Sequence, residues 1–386
     1  MRSRKLAIVG ARGIGHHGGF ESIVSELAPR LSDRGYEVYC SHRRTGSQES
    51  CGDYRGVKLM YFPFKFPERY SIGKIFELLY DWYYAIRCAF FMKCGIVYFL
   101  GVGVGIALPI ARLSGSSLTV NVDGLEWKRA KFGPLARAYL KLSFYASCAG
   151  AGRLVLDNAQ LLDHVPRRFR HKAVCIVNGV TVEKCSEWNQ HRLKDYLGDR
   201  FSLVTPGGYW LVVARLEPEN NIHTILESYS VSGSCKPLVL VGNFSSISYK
   251  NLVEGLIRNL PSGKTVIEAG SIYDKDCLHM LRCHCFAYVH GHSVGGTNPS
   301  LLEAMSVGNI VVAHDNSFNK DVCGSLAKYF KDTTTLAECF DAVENNPGDF
   351  ARNGALLRSR AEERYNWDVV VAAYDNLFSE GISSNH

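Results

Sequence analysis

The sequence predicts an α/β protein built of two Rossmann-like domains, and three observations predict it. Short apolar strands alternate with helical stripes almost from end to end, the mark of parallel sheets. The length of 386 residues exceeds one domain, taken as roughly 150 residues. A polar stretch at 182–208, ending in Thr205-Pro206-Gly207-Gly208, separates two such series and reads as a linker. The expected domains are therefore 1–181 and 209–365, with a last helix at 366–386.

The first series opens with the strand Leu6–Val9 and a glycine-rich turn. Phe20, Ile23, Val24, Leu27, Ala28 and Leu31 then recur at spacings of three and four, which predicts an amphipathic helix. Gly35 closes that helix, and Tyr36–Cys40 reads as the next strand. An unusually aromatic helical stripe follows: Ile75, Leu78, Leu79, Trp82, Ile86, Ala89 and Phe90, with Tyr80, Tyr83 and Tyr84 beside it. Cys94–Ala111 carries no charge, but Gly95, Gly101, Gly103 and Gly105 interrupt it. The stretch thus reads as a buried strand, Ile96–Leu100, with a glycine loop and a helix after it, rather than a membrane span. Further strands are expected at Leu118–Val122, Leu154–Leu156 and Ala173–Val177. The second series runs through Trp210–Ala214, Leu238–Val241, Thr265–Glu268, Phe286–Val289 and Ile310–Ala313. The last helix is marked by Trp367, Val370, Val371, Tyr374 and Leu377.

Composition narrows the function. With 46% apolar and 21% charged residues the chain can bury sizeable cores, which excludes a disordered or fibrous protein. A formal charge of +7 is too mild for a dedicated nucleic-acid binder. From Asp123 to Lys172, however, ten basic residues face four acidic ones, which implies one basic face. The 13 cysteines are scattered and follow no secretory signal, so a reducing compartment is expected. Cys283-His284-Cys285 lacks the paired spacing of a zinc site and leads into a strand.

In parallel sheets ligands bind beyond the carboxyl ends of the strands, and four candidate segments lie there. Gly13-x-Gly15-x-x-Gly18 matches the dinucleotide fingerprint, but Ser41, His42, Arg43 and Arg44 stand where an acidic residue belongs, which argues against NAD. Gly18 and Gly19, directly before a helix, suit close backbone approach to a phosphate, and His16 and His17 stand within reach of phosphate or sugar. His290-Gly-His292-Ser-Val-Gly295-Gly296-Thr297-Asn298-Pro299 enters another helix, with Thr297 or Asn298 as its cap. Backbone N–H groups from Gly295 to Asn298 would hold a diphosphate, and Glu303, one turn on, would accept from sugar hydroxyls. Arg215, in Ala214-Arg-Leu-Glu-Pro-Glu-Asn220-Asn221, is placed to meet negative charge on a leaving diphosphate; the plainer alternative is an ion pair with Glu217 or Glu219. Asp123, at a strand end before Gly124, is a candidate for acceptor orientation or proton handling, or else an Asx-type turn.

These four loops in this order resemble the retaining GT-B glycosyltransferases of family 4, and within them the bacterial rhamnosyltransferase-like branch. The most specific parts are Gly18-Gly19-Phe20-Glu21, Asp123-Gly-Leu-Glu-Trp-Lys-Arg129, Arg215 through Asn221, and His290 through Glu303; Asn178-Gly179-Val180 is similar to the family's turn before the linker. The resemblance implies two Rossmann-like domains facing across a cleft. The first would hold the acceptor, the second the nucleotide sugar, and the last helix would cross back to the first. It implies a hexosyltransferase in which Arg215, Asp123 and Glu303 act in catalysis. Gly18, Gly19, Asn220, His290, His292, Gly295, Gly296, Thr297 and Asn298 would join Arg215 and Glu303 around the donor. Two positions depart from the general family pattern: its first glutamate falls on Gly295 and its lysine on Asn220, and the branch shares both departures. The implied donor is dTDP-rhamnose, and the implied acceptor a lipid-linked saccharide in cell-surface polysaccharide synthesis. No metal, other cofactor or nucleic acid is expected. The implied location is cytoplasmic, with peripheral contact at the anionic inner face of the cell membrane through the stripe Ile75–Phe91 and the basic region Lys128–Lys172. Two other functions stay open on sequence: a sugar-nucleotide epimerase and a non-catalytic acceptor-binding subunit.

Overall fold

The computed structural model describes residues 4–15, 19–43, 51–64, 70–122, 125, 127, 133–294 and 296–383. The chain divides into two units, Met1–Gly179 with Trp367–His386, and Val180–Asn366.

The first unit is an eight-stranded sheet. Its elements run β1 (Lys5–Val9), α1 (Gly19–Asp33), β2 (Glu37–His42), β3 (Cys51–Tyr54), β4 (Val57–Tyr61), α2 (Tyr70–Ile86), β5 (Ile96–Leu100), α3 (Leu108–Arg112), β6 (Ser117–Asn121), α4 (Pro134–Gly150), β7 (Arg153–Leu156) and β8 (Ala173–Cys175). The strand order is β3-β4-β2-β1-β5-β6-β7-β8, parallel except for β3 against β4. Every residue of β5 and β6 is buried, as expected of strands covered on both faces. The β3–β4 hairpin escapes the sequence reading because its turn is Arg55-Gly56 rather than a standard Asn-Gly pair. Both residues take positive φ, and the Asp53 carboxylate accepts the Gly56 N–H at 3.0 Å.

The expected aromatic stripe is rotated. Tyr80, Tyr84, Ala85 and Cys88 are buried, whereas Leu79, Ile86 and Phe90 are exposed. Tyr84 turns inward because its hydroxyl donates to the Met60 carbonyl at 2.5 Å and its ring meets Tyr80 and Phe62. After Ile86 the helix widens into a π turn over Arg87–Phe91, which shifts its later side chains off the expected line.

The second unit carries α5 (Lys194–Leu197), β9 (Trp210–Val213), α6 (Ile222–Val231), β10 (Leu238–Val241), α7 (Ile247–Arg258), β11 (Val266–Gly270), α8 (Lys275–His284), β12 (Ala287–His290), α9 (Pro299–Ser306), β13 (Val311–His314), α10 (Ser317–Cys323), β14 (Lys328–Phe330), α11 (Thr333–Asn345) and α12 (Pro347–Arg364). All six strands are parallel, in the order β11-β10-β9-β12-β13-β14. Residues 182–208, expected as a linker, belong to this unit. Leu193, Leu197 and Val204 are buried there beside Tyr209 and Leu211, three apolar anchors too sparse to register in a polar stretch.

The last helix, α13 (Trp367–Ser383), belongs to the first unit. Trp367, Val370, Val371, Tyr374, Leu377 and Phe378 share a core with Leu6, Ile8, Val24 and Leu27. The Tyr374 and Tyr98 hydroxyls meet at 2.7 Å, and Tyr36 donates to Asp375 at 2.8 Å. Gly179 lies flat under the Trp367 ring, where a Cβ would come within 2.5 Å of it. Among the described residues no helix is long and apolar enough to cross a membrane. Leu377→Ala, in the core that α13 shares with β1 and β5, is expected to cost about 2–5 kcal/mol. Denaturant unfolding of the full chain should show an earlier first-unit transition; an unmoved midpoint would contradict this packing.

Candidate functional site

Both sheets reverse their winding, and open sheets bind ligands at such switch points. In the second unit the reversal lies between β9 and β12. These strands pair at Ala287–Trp210 and Tyr288–Leu211 and then part. Past that point the Val213 carbonyl is answered by side chains, Tyr288 Oη at 3.1 Å and Ser300 Oγ at 2.8 Å. The two hydroxyls also meet each other at 2.5 Å, so the start of α9 is pinned to the end of β9. Burial pushes the Tyr288 phenol up to about 12, keeping it a neutral donor.

Four strand-end loops converge at this opening. Leu216 pairs with the loop after β10 through Asn243 and Phe244. The Asn221 amide donates to the Gly291 carbonyl at 2.8 Å, and both the N–H and the hydroxyl of Ser293 donate to the Glu219 carbonyl. Asn316 and Asn319, on the loop after β13 and on α10, each donate to the His292 carbonyl at 3.0 Å. The backbones come so close that a Cβ on Gly291 would lie 2.1 Å from the Asn220 carbonyl oxygen.

The sequence-predicted residues divide by what they touch. Arg215 is exposed, and its Nη2 sits 3.1 Å from Oε1 of buried Glu217, so the ion pair weighed against a phosphate role is present. Asn220 is buried. Its amide donates to the Arg215 carbonyl at 2.6 Å, and its oxygen lies 2.8 Å from His292 Nδ1. That orientation makes His292 Nδ1 the proton-bearing nitrogen, so Asn220 positions the arginine loop and the His292 ring. His290 ends β12 fully enclosed, stacked on Tyr288, and its Nε2 has no hydrogen-bond partner among the described residues. Desolvation, then the neighbouring His292 and His314, hold its pKa well below the usual histidine range.

Thr297 is buried. Asn298 caps α9, its side-chain oxygen accepting the Ser300 N–H at 3.0 Å, so its amide Nδ2 and the backbone of the Gly296–Asn298 segment are what it and Gly296 can offer a ligand. Glu303, half exposed, forms an ion pair with Arg282 of α8, whose guanidinium is buried. Sequence reading missed Arg282. Its only signal is a lone arginine in the run Met280-Leu-Arg-Cys-His-Cys285, which nothing local marks as paired. In the same run His284 Nε2 lies 2.7 Å from the Ser186 carbonyl, and Cys283 Sγ lies 3.4 Å from His279 Nε2.

In the first unit the switch lies between β1 and β5. Gly10 takes φ +111°, and a Cβ there would meet the Leu100 carbonyl at 2.5 Å. Buried Glu21 accepts the Arg12 N–H at 2.9 Å, and Ser25 accepts the Gly15 N–H at 3.0 Å. The glycine turn is thus laced to α1 by the helix's own side chains. Gly19 opens α1, and among the described residues no atom lies within 4 Å of where a Cβ would stand. Gly18, Asp123 and Gly295, with His16 and His17, lie outside the described residues.

Residues 201–354 match the family described as glycosyl transferases group 1, and residues 3–180 match a domain of unknown function, DUF1972. No curated protein matches the sequence. Sucrose-phosphate synthase from Thermosynechococcus elongatus is similar in structure, with a TM-score of 0.79, 15% identity, and coverage of 98% of this chain and 99% of that one. HepE from Anabaena, solved in complex with UDP-glucose, has a TM-score of 0.72, 14% identity and the same coverage. A glycosyltransferase from Rickettsia africae has a TM-score of 0.70 and 13% identity over the whole of both chains. The chain thus has the GT-B fold, two Rossmann-like domains, with residues 201–354 similar to the glycosyl transferases group 1 family.

Two outcomes follow from the buried groups. The folded chain keeps His290 unprotonated, whereas an unfolded histidine takes a proton near pH 6.5. Below that pH the unfolded state binds more protons, so stability falls as pH falls. His290→Gln is expected to flatten the fall between pH 6.5 and 5 by up to about 1.4 kcal/mol per pH unit. Urea midpoints across that range read it, and parallel slopes in parent and variant would rule it out. Glu303→Ala strands the Arg282 guanidinium and is expected to cost about 1–2 kcal/mol, at the low end because the carboxylate is half exposed. Adding Arg282→Met should recover part of that in a double-mutant cycle.

Proposed function

We propose that the chain is a retaining, metal-independent glycosyltransferase that moves a sugar from a nucleotide diphosphate to an acceptor hydroxyl. On this reading the donor is dTDP-rhamnose and the acceptor a lipid-linked saccharide in cell-surface polysaccharide synthesis, met at the inner face of the membrane. The observation that carries the reading is the meeting of the Arg215 loop with the His290–Asn298 loop at the β9/β12 switch point. It lies in the part of the chain that matches the glycosyl transferases group 1 family. UDP-glucose bound to HepE, a protein of the same fold, is consistent with a nucleotide-sugar donor.

Each residue has a part in that scheme. The diphosphate would lie against backbone N–H groups of Gly295–Asn298, and Gly18 and Gly19 are assigned to the donor on the same reading. Arg215, free to swing from Glu217 at the surface, would neutralise charge as the sugar leaves. His290 would supply a neutral N–H group, because burial disfavours its protonation, and His292, whose Nδ1–H goes to Asn220, would present Nε2 as an acceptor for a sugar hydroxyl. Glu303 would take a hydroxyl of the nucleoside sugar with the carboxylate that Arg282 steadies, and Asp123 would orient the acceptor. No side chain is assigned as a nucleophile, so the acceptor hydroxyl attacks from the face the diphosphate leaves. Its proton departs with the phosphate oxygen, and configuration is kept.

Thermal shift against a panel of nucleotide sugars tests the donor, since a ligand at about 100 times its Kd stabilises by about 2.7 kcal/mol. dTDP-rhamnose is expected to give the largest shift, and transfer should persist in EDTA. Arg215→Ala should lower kcat by about 10²–10³ with the donor shift largely kept. Full transfer by that variant, or a panel with no stabilising nucleotide sugar, would overturn the assignment.

A further inference from the structure

The cysteine–histidine run that ends α8 has no part in the nucleotide-sugar scheme, yet the fold brings it a partner from far along the chain. Residues 183–189 are tied to α8 and α12 at successive points. The Glu183 carbonyl accepts from Arg358 of α12 at 3.1 Å, and the Asn189 N–H points at the Met280 sulfur at 3.1 Å. Between them the Lys184 carbonyl lies 3.2 Å from His279 Nε2, and the Ser186 carbonyl 2.7 Å from His284 Nε2. A carbonyl oxygen can only accept, so both histidines carry a proton on Nε2. These two ties flank Cys185 and set it against Cys283, and the two thiols are hydrogen-bonded to each other.

The two sulfurs differ in their surroundings. Cys185 is exposed and Cys283 half-buried. Burial, then the hydrogen bond to Cys185, push the Cys283 thiol up to about 12, so it keeps its proton at neutral pH. Its sulfur also faces two donors, the Ser186 N–H and His279 Nε2–H, the latter at 3.4 Å. Both would steady negative charge as that proton leaves. A zinc site would need more than these two thiols. His279 Nε2 is already given to a carbonyl, and among the described residues no three cysteines, histidines or carboxylates are arranged to hold a metal ion. Cys88 and Cys94 also touch, but both are sealed in the first unit, away from any oxidant in solution. An exposed thiol with a second thiol in contact is what a peroxide-responsive pair requires.

We propose that Cys185 and Cys283 are a redox-modification site that closes to a reversible disulfide when hydrogen peroxide is the oxidant. The Cys185 thiolate attacks one peroxide oxygen and the O–O bond breaks. Cys185 is left as a sulfenic acid, and the released hydroxide takes up the proton the thiol shed, giving water. The Cys283 sulfur then attacks the Cys185 sulfur. The S–O bond breaks, and the departing hydroxide leaves with the Cys283 proton as a second water. Two thiols give up two electrons and one peroxide accepts them, so no further reagent is needed. Exchange with a small dithiol restores both thiols. The bond would clamp residues 183–189 to the helical turn that carries Arg282, the partner of Glu303. It stands apart from the transferase reading, since neither donor nor acceptor enters it.

The reduced, folded full chain is treated with hydrogen peroxide, alkylated and digested for mass spectrometry. A peptide pair joined through Cys185 and Cys283 is expected, and dithiothreitol should release it. Closing a loop of roughly 100 residues should also raise the melting temperature by about 5–10 °C, reversibly. In Cys283→Ser the sulfenic acid has no thiol to meet, so dimedone should label Cys185 at least about tenfold more than in the parent. Cys185→Ser should lose both the link and the melting shift. Because Cys185 is exposed, that variant should melt like the reduced parent. Cys235→Ser, at another exposed cysteine, should respond as the parent does. No link in the treated parent, a link through a different cysteine, or a dimer joined through Cys185 overturns the proposal. So does one zinc per chain that protects both thiols and is lost in Cys185→Ser, which would make the cluster a metal site.

Discussion

The second unit turns on one carbonyl. Where β9 and β12 part, the Val213 oxygen loses its strand partner, and Tyr288 and Ser300 supply hydroxyls in its place. A buried carbonyl left unanswered costs about as much as a lost hydrogen bond. The strands can therefore separate only because α9 begins where its first turn can reach back. The opening between them, the position of the Gly296–Asn298 segment and the seat of Glu303 all follow from that tie.

Close backbone approach is the second constraint, and it recurs in both units. Gly242 beside Ala214, Gly291 beside Asn220, Gly10 beside Leu100 and Gly105 beside Ser143 each occupy a place that a Cβ would contest. In the strand-end loops this brings peptide groups from different strands within hydrogen-bond reach, which is what a diphosphate would need. On α4 the same demand places Ser143 and Ser147 against Gly105, between the buried Leu140 and Phe144.

Much of the fold was legible because fully buried parallel strands are short, continuous apolar runs. Ile96–Leu100 and Leu238–Val241 occur at the bounds read from sequence. Where local signals were weak, the reading missed. Arg55-Gly56 gives no standard hairpin signal, and β14 is three residues, Lys-Tyr-Phe, that resemble a loop. Aromatic periodicity on α2 was right for Ala89 but not for Leu79 and Ile86, which stand before the π turn and face outward because tyrosine hydroxyls, Tyr80 and Tyr84, found carbonyls inside. The loops of the candidate site stood out as dense glycine, proline and asparagine clusters. What each side chain touches did not: Asn220 is turned inward, and the Asn298 oxygen caps α9.

By itself the sequence determined the α/β class, the alternation of strands and helices and the loops that stand at strand ends, because those depend on near neighbours and on burial. It also fixed the charge asymmetry, a property of composition alone. Only the tertiary structure decided that Arg282 is buried beneath Glu303, that His290 is sealed away from water, and that the Arg215 loop meets the His292 loop. Those outcomes join residues 21 or 72 positions apart, and no local pattern encodes such a meeting. It comes from strand order, which places β12 beside β9 rather than beside β11.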